Sequence, residues 1–244
     1  MTSPEAPATL LAFDTSTEAM AVALVGPHGC ACWNGSGGAQ ASTQLLPTIR
    51  HQLAGAGLGL RDLQAIAFGC GPGAFTGLRT ACAVVQGLAE GARVPVIPVD
   101  SLMIVAQDAY RQQPTGSEID DIGVAMDARM GELYAARYRR VGGAWDVLMP
   151  PVLIDPAALL ARWAAAPPQR VAGSGLAMLE HLPATAGRVH ETRDRAAALL
   201  DLARESWARG VAIDAALALP LYLRDKVALT TAERLDRAAA AVAP

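Results

Sequence analysis

The chain has 244 residues, 52% of them apolar, enough to bury a full core without disulfide or metal staples. Its formal net charge of −3 and pI near 5.8 argue against a protein that grips a nucleic-acid backbone unaided. Four cysteines and four dispersed histidines make no CxxC, HxxxH or HExxH pattern, so neither a redox pair nor a metal site is indicated.

Cys30, Cys32, Cys70 and Cys82 read as ordinary buried thiols. The first ten residues carry no signal-type apolar segment, and no apolar run reaches the length of a membrane span. A cytoplasmic location and no membrane partner are the resulting expectations. The one local basic cluster, Arg137, Arg139 and Arg140, reads as a solvated strand edge.

Residues 10–13 form a short apolar run that ends at Asp14-Thr15-Ser16-Thr17. A second run over 19–25 closes at a Gly-Pro-His-Gly turn, and 30–35 completes an antiparallel meander. Ser42 is the expected N-cap of a helix whose Leu45, Leu46, Ile49 and Leu53 recur at helical spacing up to Gly55. Pro47 interrupts that helix or sits in its first turn. A buried-type strand over 65–68 leads into a glycine-rich loop, Gly69 to Gly77, and a long helix of small residues reaching Glu90. A strand at 94–99 is followed by a helix capped by Ser101. Helices that separate strands after a hairpin start predict an α/β fold with a mixed sheet.

The second half opens in the same way. Residues 124–126 lead to Asp127, then a turn through Gly131 and a strand at 133–138. Asp127 aligns with Asp14 and Ala125 with Ala12, so the pattern is either a duplication or a pair of ordinary hairpins. A strand at 152–154, a helix from Asp155-Pro156, and Gly173-Ser174-Gly175 before another helix come next. Asp194 caps a helix bearing Leu199, Leu200, Ala203 and Trp207 on its inner face; an extended piece at 219–223 and an Ala-rich tail from Glu233 end the chain.

Three stretches have the residue types for ligand chemistry, and each has a plain structural reading. The carboxylate and hydroxyls of residues 14–17 suit either a phosphate or a metal-bound water, or simple turn capping, which the local sequence favours. The Gly71–Gly77 loop suits either a phosphate cradle or close packing by Gly73, Gly77 and Gly87 with Phe75 as anchor. It lacks Gly-Lys-Ser/Thr and the GxGxxG spacing, so packing is favoured. Gly173-Ser174-Gly175 either touches an adenosine or is a bare β–α turn. No nucleophile, histidine and carboxylate share a recognisable motif.

Taken in order, LAFDTSTEAMAVALV, GPGAFTGLRTACAVVQGLAEG from Gly71, MDARMGELYAARY from Met126 and PLYLRDKVA from Pro220 resemble the TsaB (YeaZ) family over nearly the whole chain. The resemblance implies an actin/Hsp70-like (ASKHA, ribonuclease H-like) duplicated fold of two lobes, each with a mixed sheet and helices. The expected division is an N-terminal lobe over 1–103, with 220–244 packing back on it, and a C-terminal lobe over 104–219.

It also implies a non-catalytic scaffold or activator in forming N6-threonylcarbamoyladenosine on tRNAs that read codons starting with A. The implied partners are the catalytic paralogue TsaD and the ATPase TsaE, with TsaC supplying the activated intermediate. The chain would be a homodimer when alone and would meet tRNA only through the complex. No cofactor is implied for the chain itself, with ATP or ADP held in the assembly. Carried onto this sequence, the partner or dimer face comprises Leu45, Leu46, Ile49, Phe75, Leu78 and Val84. Asp14, Thr15, Gly71, Gly73, Thr76, Asp127, Gly173 and Gly175 would be remnants of a nucleotide cleft. Two positions depart from the family pattern: Ala41 stands where relatives have histidine, and Ala74 replaces the serine of GPGSFTG. The competing readings are an independent actin-like ATPase or small-molecule kinase, a zinc peptidase, and a direct tRNA binder.

Overall fold

The computed structural model describes residues 8–114, 119–183, 186–190 and 192–224. The first lobe is built on a five-stranded mixed sheet. β1 (Leu10–Asp14), β2 (Ala19–Gly26) and β3 (Gly29–Ser36) form the meander, while β4 (Ala65–Gly71) and β5 (Val96–Asp100) extend it on the other side in the order β3-β2-β1-β4-β5. β1 pairs antiparallel with β2, Asp14 opposite Ala21, and parallel with β4, Leu10 beside Ala65.

The second sheet repeats this plan. β6 (Asp121–Asp127), β7 (Leu133–Val141) and β8 (Ala144–Ile154) form its meander, and β9 (Arg170–Ala172) and β10 (Gly187–Val189) complete the order β8-β7-β6-β9-β10. β6 is antiparallel to β7 and parallel to β9. The two sheets therefore share order and strand direction, and Asp14 and Asp127 end equivalent central strands. This settles the duplication in favour of an actin/Hsp70-like plan.

Period-2 alternation sorts each strand's side chains between two apolar layers. Leu11, Phe13, Val22 and Leu24 face α1 (Ala41–Gly55) and α2 (Phe75–Ala92). Leu10, Ala12, Ala21 and Ala23 face the middle of the molecule, where α3 (Ser101–Arg111) and α5 (Arg195–Ala208) lie between the sheets. α5 packs on β1 and β2, although it follows the second sheet in sequence, and α3 packs on β6 and β7. The outer face of the second sheet is covered by α4 (Pro156–Ala164) through Leu159 and Trp163. Burial on both faces explains why Arg195 to Leu200 are buried without interruption.

Several local expectations need correcting. α1 starts at Ala41 with Gln40 as its cap residue, not at Ser42, and Pro47 lies well inside the helix. Asp100, not Ser101, caps α3, its carboxylate accepting from the Leu102 N–H at 2.9 Å. Cys30 and Cys32 are exposed, because β3 is an edge strand whose outward residues have no covering layer. Gly87 is also exposed, with nothing near the place a side chain would occupy, so it does not serve close packing. The tail from Glu233 lies outside the described residues.

Candidate functional site

A cleft of about 710 Å³ opens between the lobes. Its walls come from the tips of equivalent elements: Ser16 and Thr17 after β1, Pro72 to Phe75 at the start of α2, Asp127 to Met130 at the end of β6, and Ser174 after β9. Each strand ends there because polar turn residues follow an apolar run.

Asp14 sits at the base of this cleft and is wholly buried. Oδ2 accepts from Arg195 Nε at 2.8 Å and from Ser16 Oγ at 2.9 Å; Oδ1 accepts from Ser101 Oγ at 3.0 Å. Arg195, only 4% exposed, also donates to Ser16 Oγ at 3.0 Å and to the Ser101 carbonyl at 3.3 Å. The Ser101 hydroxyl in turn accepts from Gly71 N–H at 3.1 Å. Carboxylate and guanidinium thus compensate each other's charge, and both serines join the network.

The glycine-rich loop is packed onto the same strand tip. Ala74 N–H donates to the Ser16 carbonyl at 2.7 Å, and Thr15 Oγ1 donates to the Gly77 carbonyl at 2.7 Å. A Cβ at Gly73 would lie 2.3 Å from the Ser16 carbonyl oxygen, and one at Gly77 would lie 1.9 Å from that of Thr15. Both glycines are there because backbone meets backbone. Ala74 is the cap residue of α2 and offers no side-chain cap bond; Ala41 is a buried first residue of α1.

In the second lobe, Asp127 is exposed at the rim and accepts from the Arg129 N–H at 2.7 Å. Arg129 reaches Asp127 at 3.9 Å and Glu18 of the first lobe at 3.6 Å, all well exposed, so these pairs stabilise little. Gly173 and Gly175 are buried against the Ala125 carbonyl, and Thr76 is exposed on α2. The expected cleft residues therefore gather at one place, but Asp14, Thr15, Gly71, Gly173 and Gly175 lie beneath its surface rather than open to it.

The expected partner face divides. Leu45, Ile49 and Leu78 are at most 1% exposed, because their helical stripe is the one packed on the sheet. That corrects their expected role as anchors for another chain. Leu46 is 43% exposed, and Phe75 and Val84 are half-buried, so these three remain accessible.

Three relationships were not read from the sequence. Arg195 stood only as the residue after a predicted cap; a charge opening a buried apolar run was the available signal. Tyr138 donates its hydroxyl to Asp100 across the lobes, and burial pushes the Asp100 carboxyl up to about 6 despite that bond. The segment after Ala218 crosses from one lobe to the other. Leu221 N–H donates to the Cys70 carbonyl at 2.7 Å, while Arg224 pairs with Glu132 at 2.7 Å and donates to the Ala128 carbonyl at 3.1 Å.

The basic cluster is not a solvated edge. Arg137 and Arg139 both bind Asp121, at 2.7 and 3.0 Å, and Arg140 pairs with Glu205. Burial pushes the Asp121 carboxyl up, but hydrogen bonds from the two guanidiniums and their charge outweigh it and hold it below the ordinary value. Among the described residues, no group of three or more His, Cys, Asp or Glu side chains is arranged to hold a metal ion. No helix among them is long and apolar enough to cross a membrane.

Comparison with known proteins adds sequence and structural likeness. Residues 38–231 match the family model described as TsaD: tRNA N6-adenosine threonylcarbamoyltransferase. The tRNA threonylcarbamoyladenosine biosynthesis protein TsaB of Escherichia coli K12 is 34% identical over 90% of this chain and 96% of its own length. The Haemophilus influenzae protein of the same description is 42% identical, over a match that spans 54% of each chain. Among solved structures, YeaZ from Pseudomonas aeruginosa superposes with a TM-score of 0.78 at 38% identity, covering 88% of this chain and all of that one. A second crystal structure, described as an uncharacterized protein with similarity to peptidase YEAZ from the same organism, gives 0.80 at 39% identity over 89% of this chain.

Proposed function

Because the chain belongs to the TsaB (YeaZ) family, we propose that it takes part in N6-threonylcarbamoyladenosine formation on tRNA as a non-catalytic subunit that supports TsaD. The observation that carries this reading is the buried Asp14–Arg195 pair. In an actin-like ATPase the equivalent strand tip faces the nucleotide's phosphates and their metal. Here a guanidinium already compensates that carboxylate, and both its oxygens accept hydrogen bonds. A nucleotide-bound divalent cation does not fit there without breaking a sealed ion pair, a step that costs several kcal/mol. The loop that would cradle phosphates is hydrogen-bonded to the hairpin it would have to leave.

The chain therefore acts through its surfaces. The accessible residues of the α1–α2 side, Leu46, Phe75 and Val84, form the face offered to TsaD, or to a second copy when TsaD is absent. TsaE and tRNA join only in the assembled complex, in the cytoplasm, and any ATP or ADP is held by other subunits or between them. Arg137 and Arg140 are committed to internal carboxylates, which disfavours direct tRNA binding by this chain.

The test is a drop-out reconstitution. TsaC, TsaD, TsaE, ATP, threonine, bicarbonate and unmodified tRNA are incubated with and without the chain, and labelled threonine on tRNA is counted. The expected result is incorporation that requires the chain and survives substitution of Thr76 or Asp127. Incorporation that proceeds equally without it would sink the reading and bring the ATPase or kinase alternative forward.

A further inference from the structure

Arg79 is held by aromatic groups rather than by a carboxylate. Arg137, Arg140, Arg195 and Arg224 each pair with a carboxylate, whereas among the described residues no carboxylate pairs with Arg79. It is nonetheless held in place. Its guanidinium carbon lies 3.8 Å from the centre of the Phe75 ring, one turn earlier on α2. Its Nε donates to the Tyr222 hydroxyl at 3.3 Å, and the Tyr222 and Phe75 rings are 5.0 Å apart. A long, flexible cation is thus fixed at two points by aromatic groups before any partner arrives.

We propose that Phe75, Arg79 and Tyr222 form a ready-made socket for a carboxylate side chain of the partner protein. The proposal rests on the partner-subunit reading and names the chemistry by which that partner is recognised. With Nε taken by Tyr222, the two terminal amino groups of the fork remain to receive a carboxylate. Tyr222, which holds the cation, is 41% exposed, and Leu219 and Leu221 just before it in the chain are exposed by 68% and 37%. That surface suits an acidic residue set among aliphatic ones on a protein segment, and it suits a bare phosphate backbone poorly. Aromatic and arginine side chains held rigid beside apolar surface are the usual composition of an energetic centre in an interface.

The experiment is titration calorimetry of the full chain against the cognate TsaD at low and high salt. Arg79→Glu should bind about tenfold more weakly or worse, Arg79→Gln less so, and neither should keep the wild-type salt dependence. Reversing one acidic residue on TsaD to arginine should restore binding to Arg79→Glu. Arg79 is exposed, so the unfolding midpoints should match wild type, and Tyr222→Phe gives a second, smaller loss by releasing Arg79. Wild-type binding together with equal binding and equal salt dependence for Arg79→Glu overturns the socket while leaving the partner reading intact. No binding by the wild type overturns both. Unchanged TsaD affinity with reduced tRNA retention by the complex also overturns the proposal, because the socket would then serve RNA.

Discussion

Arg195 on α5 donates to Asp14 on β1 across 181 positions of sequence, at 2.8 Å, with both side chains shut away from water. The pair ties an element that follows the second sheet to the central strand of the first.

Breaking that pair one-sidedly should be costly. Arg195→Met leaves a buried carboxylate uncompensated and Asp14→Asn leaves a buried cation, each losing about 3–5 kcal/mol in urea unfolding at neutral pH. The double variant should lose clearly less than the sum, since neither charge is then left alone. Additive losses would show that the two side chains contribute independently.

The glycines of α2 should behave in opposite ways. Gly77→Ala drives a Cβ to 1.9 Å from the Thr15 carbonyl oxygen, so the hairpin tip or the helix start must move and stability falls. Gly87→Ala meets nothing within 4 Å and removes chain entropy from the unfolded state, so it should gain about 0.5–1 kcal/mol. Thermal unfolding of the two variants checks both signs.

Asp100 sets a pH dependence. Burial raises its carboxyl to about 6, so between about pH 4 and that value the folded chain holds a proton that the unfolded chain has released. Stability from this group therefore falls as pH rises through that window and levels off above it, by on the order of 3 kcal/mol. Asp100→Asn should flatten the slope. Asp121, held low by Arg137 and Arg139, acts with the opposite sign, losing stability as pH falls below the ordinary carboxylate range. Urea midpoints across the acid range separate the two.

Arg224 should matter locally. Its ion pair with Glu132 and its bonds to the Ala128 and Arg129 carbonyls fasten the crossing segment to the loop after β6. Arg224→Ala should speed amide hydrogen exchange at residues 128–132 and 221–223, with the amides of β1 and β4 unchanged. Exchange read by mass spectrometry decides it, and uniform acceleration across the sheets would contradict a local fastening.

The amino-acid order by itself determined most of the strands and helices, because apolar periodicity and turn residues act over a few positions, but it left the twofold plan open against a pair of ordinary hairpins. It located the two equivalent strand tips at Asp14 and Asp127 and the glycine-rich turn between β4 and α2. It could not tell a phosphate cradle from a packed turn at Gly73 and Gly77, since both need a residue without Cβ. Only the tertiary structure decided that, by setting the Ser16 and Thr15 carbonyls against them. It likewise decided that Leu45, Ile49 and Leu78 serve the core while Leu46 and Phe75 stay accessible, because helical spacing marks an apolar stripe without saying what covers it. Arg195 was beyond local reading altogether: a charge is buried only where a distant partner compensates it, and Asp14 becomes its neighbour only after α5 folds back on the first sheet.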